Sequence, residues 1–342
     1  MKIRIFILSS IVLGVFFWQS CSNDLDLTAP WQDIPVVYGI IDITEDNHYI
    51  RVEKAFLDPE TSAVEVAQVA DSIYYENISV SIKVNDNQTF NLTKINGEDE
   101  GIDKDAGAFA NSPNTLYKIS QAESNLKAGD VVELMINRGD NLPTITAQTI
   151  IVGNSEVRSP ITAFDGEKTG LGFRNNLPTS IRWRASEFGI VYDLKLLFVY
   201  EEYLFTNPDD RDSFTIVFPV DKSILNDGDP TIGVQGVTGI TGQEFYGFVG
   251  SNIPVKEDYQ RRFKRIDIQI TGGSNEILET FRIQDANTGL TSAQDIPVYT
   301  NLSEGRGFFA SRNQLIDSRG LLPASRDSLA NGQQTKDLNF LQ

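Results

Sequence analysis

Ile78-Ser79-Val80-Ser81-Ile82-Lys83-Val84 alternates apolar and polar residues without a break. Successive side chains of a strand point to opposite faces, so this period of two reads as a half-buried β-strand. Asn85-Asp86-Asn87-Gln88 then supplies turn formers, and Phe90-Asn91-Leu92 resumes the alternation, as a hairpin requires. Upstream, Ile50, Val52 and Phe56 share a face opposite Arg51 and Glu53. Further strands are expected over residues 36–42, 116–119, 131–137 and 144–152, with Pro35 at a strand start, where its missing N–H does least harm. About seven short strands between residues 32 and 153 predict an immunoglobulin-like β-sandwich. One helix is expected over residues 62–73: Ser62 and Glu65 have capping-box spacing, and Val66, Val69, Ala70 and Ile73 recur at helical intervals.

The second half restarts the pattern. Ser180-Ile181-Arg182-Trp183-Arg184 alternates, and Tyr192, Leu194, Leu196, Phe198 and Tyr200 make one long apolar face. Residues 214–220 and 265–271 add strands; Phe245, Phe248 and Val249 suggest a short helix, and residues 276–284 fit helix or strand. The tail from Ser325 reads as a helical turn followed by an apolar strand at residues 338–341. The expectation is a mainly β protein, with an N-terminal immunoglobulin-like β-sandwich (residues 32–153) and a second β-rich domain with a few short helices (residues 154–342). Gly153, Asn154 and Pro160 mark the boundary.

Residues 1–20 have the parts of a secretory signal: Lys2 and Arg4, then an uncharged apolar stretch from Ile5 to Trp18. A helix that crosses a bilayer takes roughly 20 apolar residues, so this stretch fits a signal better than a span. Cys21, the one cysteine of the chain, follows the small residue Ser20. Its place at the junction predicts cleavage before Cys21 and attachment of lipid to its thiol. Trp18 and Gln19 depart from the Leu and small residue that such cleavage boxes prefer. Residues 21–31, with Asp24 and Asp26, would form a tether, either a plain solvated linker or a signal for display at the cell surface. With Cys21 acylated no thiol is left for disulfides, and packing alone must hold the fold. A net charge of −18 disfavours nucleic acid and anionic lipid as partners.

Candidate chemistry is sparse. His48 is the single histidine, and neither a G-x-S-x-G elbow nor a nucleotide-binding loop accompanies it, so it reads as a strand-edge or turn residue. The acidic run of residues 98–107 offers an Asp-x-Asp-x-Gly stretch, as a calcium loop or a solvated hairpin loop. Tyr74, Tyr75, Trp183, Tyr200, Tyr203, Phe245 and Tyr246 would line a groove or fill a core. Asp71-Ser72-Ile73 and Asp327-Ser328-Leu329 match a short O-glycosylation pattern. No catalytic, cofactor-binding or metal-ligating set is assigned, and Cys21 is the one site residue.

Two longer stretches carry a resemblance. They are Val36-Val37-Tyr38-Gly39-Ile40-Ile41-Asp42 with Tyr49-Ile50-Arg51-Val52-Glu53-Lys54-Ala55-Phe56-Leu57, and Pro297-Val298-Tyr299-Thr300-Asn301-Leu302 running into Gly305-Arg306-Gly307-Phe308-Phe309-Ala310-Ser311-Arg312. The chain resembles a family of Bacteroidota lipoproteins that carry a domain of unknown function, over residues 30 to 315. The resemblance implies an outer-membrane lipoprotein encoded near a TonB-dependent transporter, with no established catalytic residues. From the residues themselves, Gly305 and Gly307 predict a turn with positive φ. Phe308 and Phe309 are expected to plug a core or pack against Arg312. The expected function is a surface-exposed binding or accessory module, not an enzyme. A structural or adhesive envelope protein, or a carboxylate-based glycan hydrolase, are the alternatives.

Overall fold

The structure, a computed structural model, describes residues 33–56, 63–105, 107, 109–139, 142–161, 168–175, 177–226, 234–287 and 298–342. It is mainly β, with three sheets and few short helices. In the first half β1 (Asp33–Ile41), β2 (Asn47–Phe56), β5 (Thr93–Asn96) and β6 (Thr115–Ser120) lie in one sheet. A four-stranded antiparallel sheet is built from β3 (Ser79–Val84), β4 (Gln88–Asn91), β7 (Val131–Asn137) and β8 (Ile145–Ile150), in the order β4-β3-β7-β8. Val37, Ile50, Val52 and Ile119 from the first sheet meet Val80, Ile82, Leu134 and Ile136 from the second in a shared core. The hairpin between β3 and β4 turns at Asn85 and Asp86, both with positive φ, which short polar side chains tolerate best after glycine.

The second half contains β9 (Glu156–Ser159), β10 (Thr179–Arg184), β11 (Val191–Leu204), β12 (Asp212–Leu225), β13 (Val234–Ile240), β14 (Tyr259–Gly273) and β15 (Arg306–Arg319). A three-stranded sheet has the order β13-β10-β9. Tyr192, Leu196 and Phe198 of β11 and Ile266, Ile268 and Ile270 of β14 face Trp183, Phe245 and Phe340 in a second core. Helix α4 (Gly242–Asn252) contributes Phe245 and Val249; it opens on a capping box, in which Thr241 and Glu244 each satisfy the other's backbone N–H.

One strand unites the halves. β15 pairs in parallel with β1 from Arg306 to Ser311, then antiparallel with β14 from Arg312 to Arg319. The resulting eight-stranded sheet runs β12-β11-β14-β15-β1-β2-β6-β5. Residues 37–151 supply the first core together with Leu302 and Phe309, and residues 171–340 supply the second.

Several expectations change. The helix expected over residues 62–73 is two short ones, α1 (Ala63–Ala67) and α2 (Ala70–Ile73), because Val69 between them is extended at φ −100° and ψ 111°. Val69 is also exposed, so the helical spacing of the valines does not describe a buried stripe. Residues 276–284 fall within a helix, α5 (Asn275–Asn287), which follows β14 directly. Residues 306–312, read as part of a turn, belong to the 14-residue strand β15, in which Phe309 fills the first core as expected and Phe308 lies on the other face. The expected positive φ is present, +98° at both Gly305 and Gly307, although Gly307 is a paired residue of the strand. Pro35 lies inside β1, opposite Lys54, rather than ahead of it.

Candidate functional site

Several buried or half-buried charged residues hold strands together. Glu202 of β11 accepts two bonds from the Arg261 guanidinium, at 2.9 and 2.6 Å, and a third from Lys256. Arg261 is fully buried and also donates to the carbonyls of Leu338 and Pro254, so the pair ties the C-terminal segment to the sheet. Asp317 is held by Arg319 and Lys168, and Asp267 by Arg265 and Ser318. Asp42, at the end of β1, accepts from the Thr44 hydroxyl at 2.6 Å and from the Gln314 backbone N–H at 3.1 Å. Three carboxyls lie below their ordinary range: Glu100 chiefly through the Lys118 ammonium, Glu201 through Lys264, and Glu244 through the Thr241 backbone.

His48 departs from the expected strand-edge or turn position. It is 2% exposed on the inner face of β2, and its Nε2 lies 2.8 Å from the side-chain oxygen of Gln121, the first residue of α3 (Gln121–Ser124). The acidic run at residues 98–107 begins in a 3₁₀ turn (Gly97–Glu100). Glu100 there binds Lys118 and Tyr49, and Glu98 binds Asn96 and Ser112. Among the described residues no three His, Cys, Asp or Glu side chains gather as metal ligands. Six of the seven aromatics weighed for a groove are buried: Tyr74, Trp183, Tyr200, Tyr203, Phe245 and Tyr246; Tyr75 is half-buried. Trp183, Tyr200, Phe245 and Tyr246 belong to the second core, while Tyr74 meets Lys104 and Tyr203 meets Gln260 and Arg211. Ser72 and Ser328 both sit on helices, α2 and α6 (Pro323–Asn331). Cys21 lies outside the described residues.

Two of the concavities are open and polar, and a small one of about 30 Å³ beside Val191, Ile277 and Phe281 is apolar. The cleft of about 430 Å³ between β14 and the C-terminus presents Arg262, Lys264 and Arg326 beside Leu329 and Leu341. A second, of about 450 Å³, lies where Lys127 and Gly153 face Arg184 and Glu187. Ligand pockets are ordinarily enclosed and largely apolar, and neither cleft is.

Exposed apolar side chains lie both in loops, such as Ile161 and Val255, and on strands. On the outer side of β1 and β15, Tyr38 (46% exposed) and Ile40 stand beside Phe308, with Ile316 (52%) further along β15. The Tyr38 and Phe308 rings meet edge to face, with centroids 5.7 Å apart. At the far edge of the sheet, β12 exposes Phe214 and Val217, near Leu204 and Phe205. Tyr38, Ile40 and Phe308 fall in the stretches that carry the resemblance, but nothing in the sequence marks any of these residues as exposed. No protein-family model matches the chain, and no curated protein sequence matches it significantly.

Proposed function

We propose that the protein is an outer-membrane lipoprotein, held by lipid on Cys21 and displayed at the cell surface. There it acts as a binding or accessory module docked on a TonB-dependent transporter. The observation that carries this reading is the apolar outer face where β1 and β15 pair, with Tyr38 and Ile40 on one strand and Phe308 on the other. Contiguous apolar surface on a folded domain marks an interaction site, and aromatic anchors on a rigid sheet lose little entropy when a partner covers them. The face begins a few residues after the tether, so a membrane-bound partner is within reach. We also read the two facing sheets of the first half as an immunoglobulin-like sandwich. Their antiparallel hairpins and common core support that reading.

Purification of the tagged protein from outer membranes in mild detergent is expected to bring a transporter with it. Tyr38→Ala with Phe308→Ala should release the transporter without lowering the melting temperature much, since both side chains point outward. Recovery of the wild type alone, in the inner-membrane fraction, would overturn the proposal. Cys21→Ala tests the anchor: a variant that still incorporates a fatty-acid probe excludes lipid on this cysteine.

A further inference from the structure

β12 is the outermost strand of the eight-stranded sheet and pairs only with β11 among the described residues. Natural sheets protect such edges with charges, prolines and bulges, because a free row of backbone donors and acceptors recruits another strand. The protection here is confined to the ends. Asp212 opens β12, while Pro219, Asp221, Lys222 and the register shifts opposite Leu194 occupy its second half. Ser213-Phe214-Thr215-Ile216-Val217-Phe218 between them has no charge, proline or bulge. Val217 is 48% exposed and Phe214 39%.

This run reads nearly the same in both directions around Ile216. An antiparallel copy with Ile216 facing its own counterpart sets Phe214 opposite Phe218 and Thr215 opposite Val217. Arg211, just ahead of the strand, then comes to the level of Asp221 of the second copy, at both ends of the seam. Sliding the pair so that Thr215 faces itself would set Asp209 opposite Asp221 and Asp212 opposite Phe218. The dyad on Ile216 is therefore the register that matches rings with rings and opposes Arg211 to an acid. A two-fold interface must be self-complementary in this way.

We propose that β12 is a homodimer interface, in which two copies of the chain join edge to edge and continue their sheets into one. Pro219 withholds one donor per strand, so the seam is held mainly by the run from Ser213 to Phe218. Thr215 and Val217 lie on the outer face, whereas Ile216 and Phe218 are half-buried and pack against the second core. Thr215 and Val217 can be changed with the core left intact.

The test is sedimentation of the full chain in detergent across a concentration series. The wild type is expected to dimerise. Thr215→Lys with Val217→Lys sets lysine against lysine twice and should weaken self-association about tenfold. Thr215→Glu with Val217→Lys sets glutamate against lysine in the same register and should restore the dimer. Matching melting temperatures for the two double variants would show that both fold. A monomeric wild type overturns the proposal and leaves the edge to a strand from another protein. A lysine pair that dimerises like the wild type, or a glutamate–lysine pair that stays monomeric, overturns it too.

Discussion

Between Arg306 and Ser311, β15 runs parallel to β1 and turns Gly307 and Phe309 toward the first core; from Arg312 to Arg319 it runs antiparallel to β14 and turns Asn313, Asp317 and Arg319 inward. The inward side chains of the first half make close backbone approach and apolar burial, with Asn301 bonding the Phe309 backbone from the side. The second is held by directional bonds: Asn313 accepts from the Ser155 N–H and donates to Asn154, while Arg319 binds Asp317 and the carbonyls of Ile161 and Thr169. Ser311, fully buried, stands at the change-over and joins three segments. Its hydroxyl donates to the Ile41 carbonyl and accepts from the Val152 N–H, and its backbone exchanges bonds with Ser274. Burial without direction tolerates a change of shape poorly and a change of polarity not at all. A bonded set tolerates the loss of both members better than the loss of one.

The largest effect is expected where the backbone itself is the contact. A Cβ on Gly307 would lie 1.9 Å from the Val37 carbonyl oxygen, and φ there is +98°. Gly307→Ala must part β1 from β15 to relieve this, and we expect a loss of about 4 kcal/mol or more, read by chemical denaturation. A variant as stable as the wild type would show that the parallel pairing is not what holds β15. Phe309→Ala follows. Its side chain is fully buried, and truncation should cost about 3–5 kcal/mol, with Phe309→Leu recovering part of that.

The second half of the strand should behave differently. Arg319→Met alone leaves the Asp317 carboxylate buried without its guanidinium and is expected to cost about 3 kcal/mol. Adding Asp317→Leu should return part of the loss, although the carbonyls of Ile161 and Thr169 remain without their donor. A double variant no better than the single one would break the contrast with Phe309, where no second substitution is expected to compensate.

That contrast also explains what was legible in the sequence. Period-two runs such as Ile78–Val84 and Tyr192–Tyr200 declare themselves because one side of each faces an apolar core; most strands of both cores could be placed from them. β15 could not. Its inward positions read Gly307, Phe309, Ser311, Asn313, Leu315, Asp317 and Arg319, and a strand that crosses a polar junction shows no hydrophobic alternation. β5, β9 and β13 were missed for a related reason: each is short or lies at a sheet margin with little apolar burial. The outer face of β1 and the edge of β12 were beyond reach because exposure depends on which strands pair. Long-range pairing such as β1 with β15 leaves no local mark beyond its two glycines.

The smallest expected effect contrasts two neighbouring tyrosines on opposite faces of the first sheet. Tyr117 points into the core and burial alone pushes its hydroxyl up to about 12; Tyr49 points outward, and burial followed by its bond to Glu100 takes it to about 12. A group whose folded pKa is raised contributes stability that is complete below its unfolded value, about 10 for tyrosine, and lost as pH rises through the folded value. Both should therefore stay neutral well above pH 10, with the melting temperature falling between about pH 10 and 12. Glu100→Gln separates the causes. It removes the charge that Tyr49 faces and leaves Tyr117 untouched, so Tyr49 alone should titrate at lower pH, part of the way back toward 10 because its burial remains. Ring-carbon NMR of labelled tyrosine through an alkaline titration would resolve the two. If both moved together, the sheet would be transmitting the change between its faces, and the independence of the two sides assumed for the Tyr38 and Phe308 variants would fail with it.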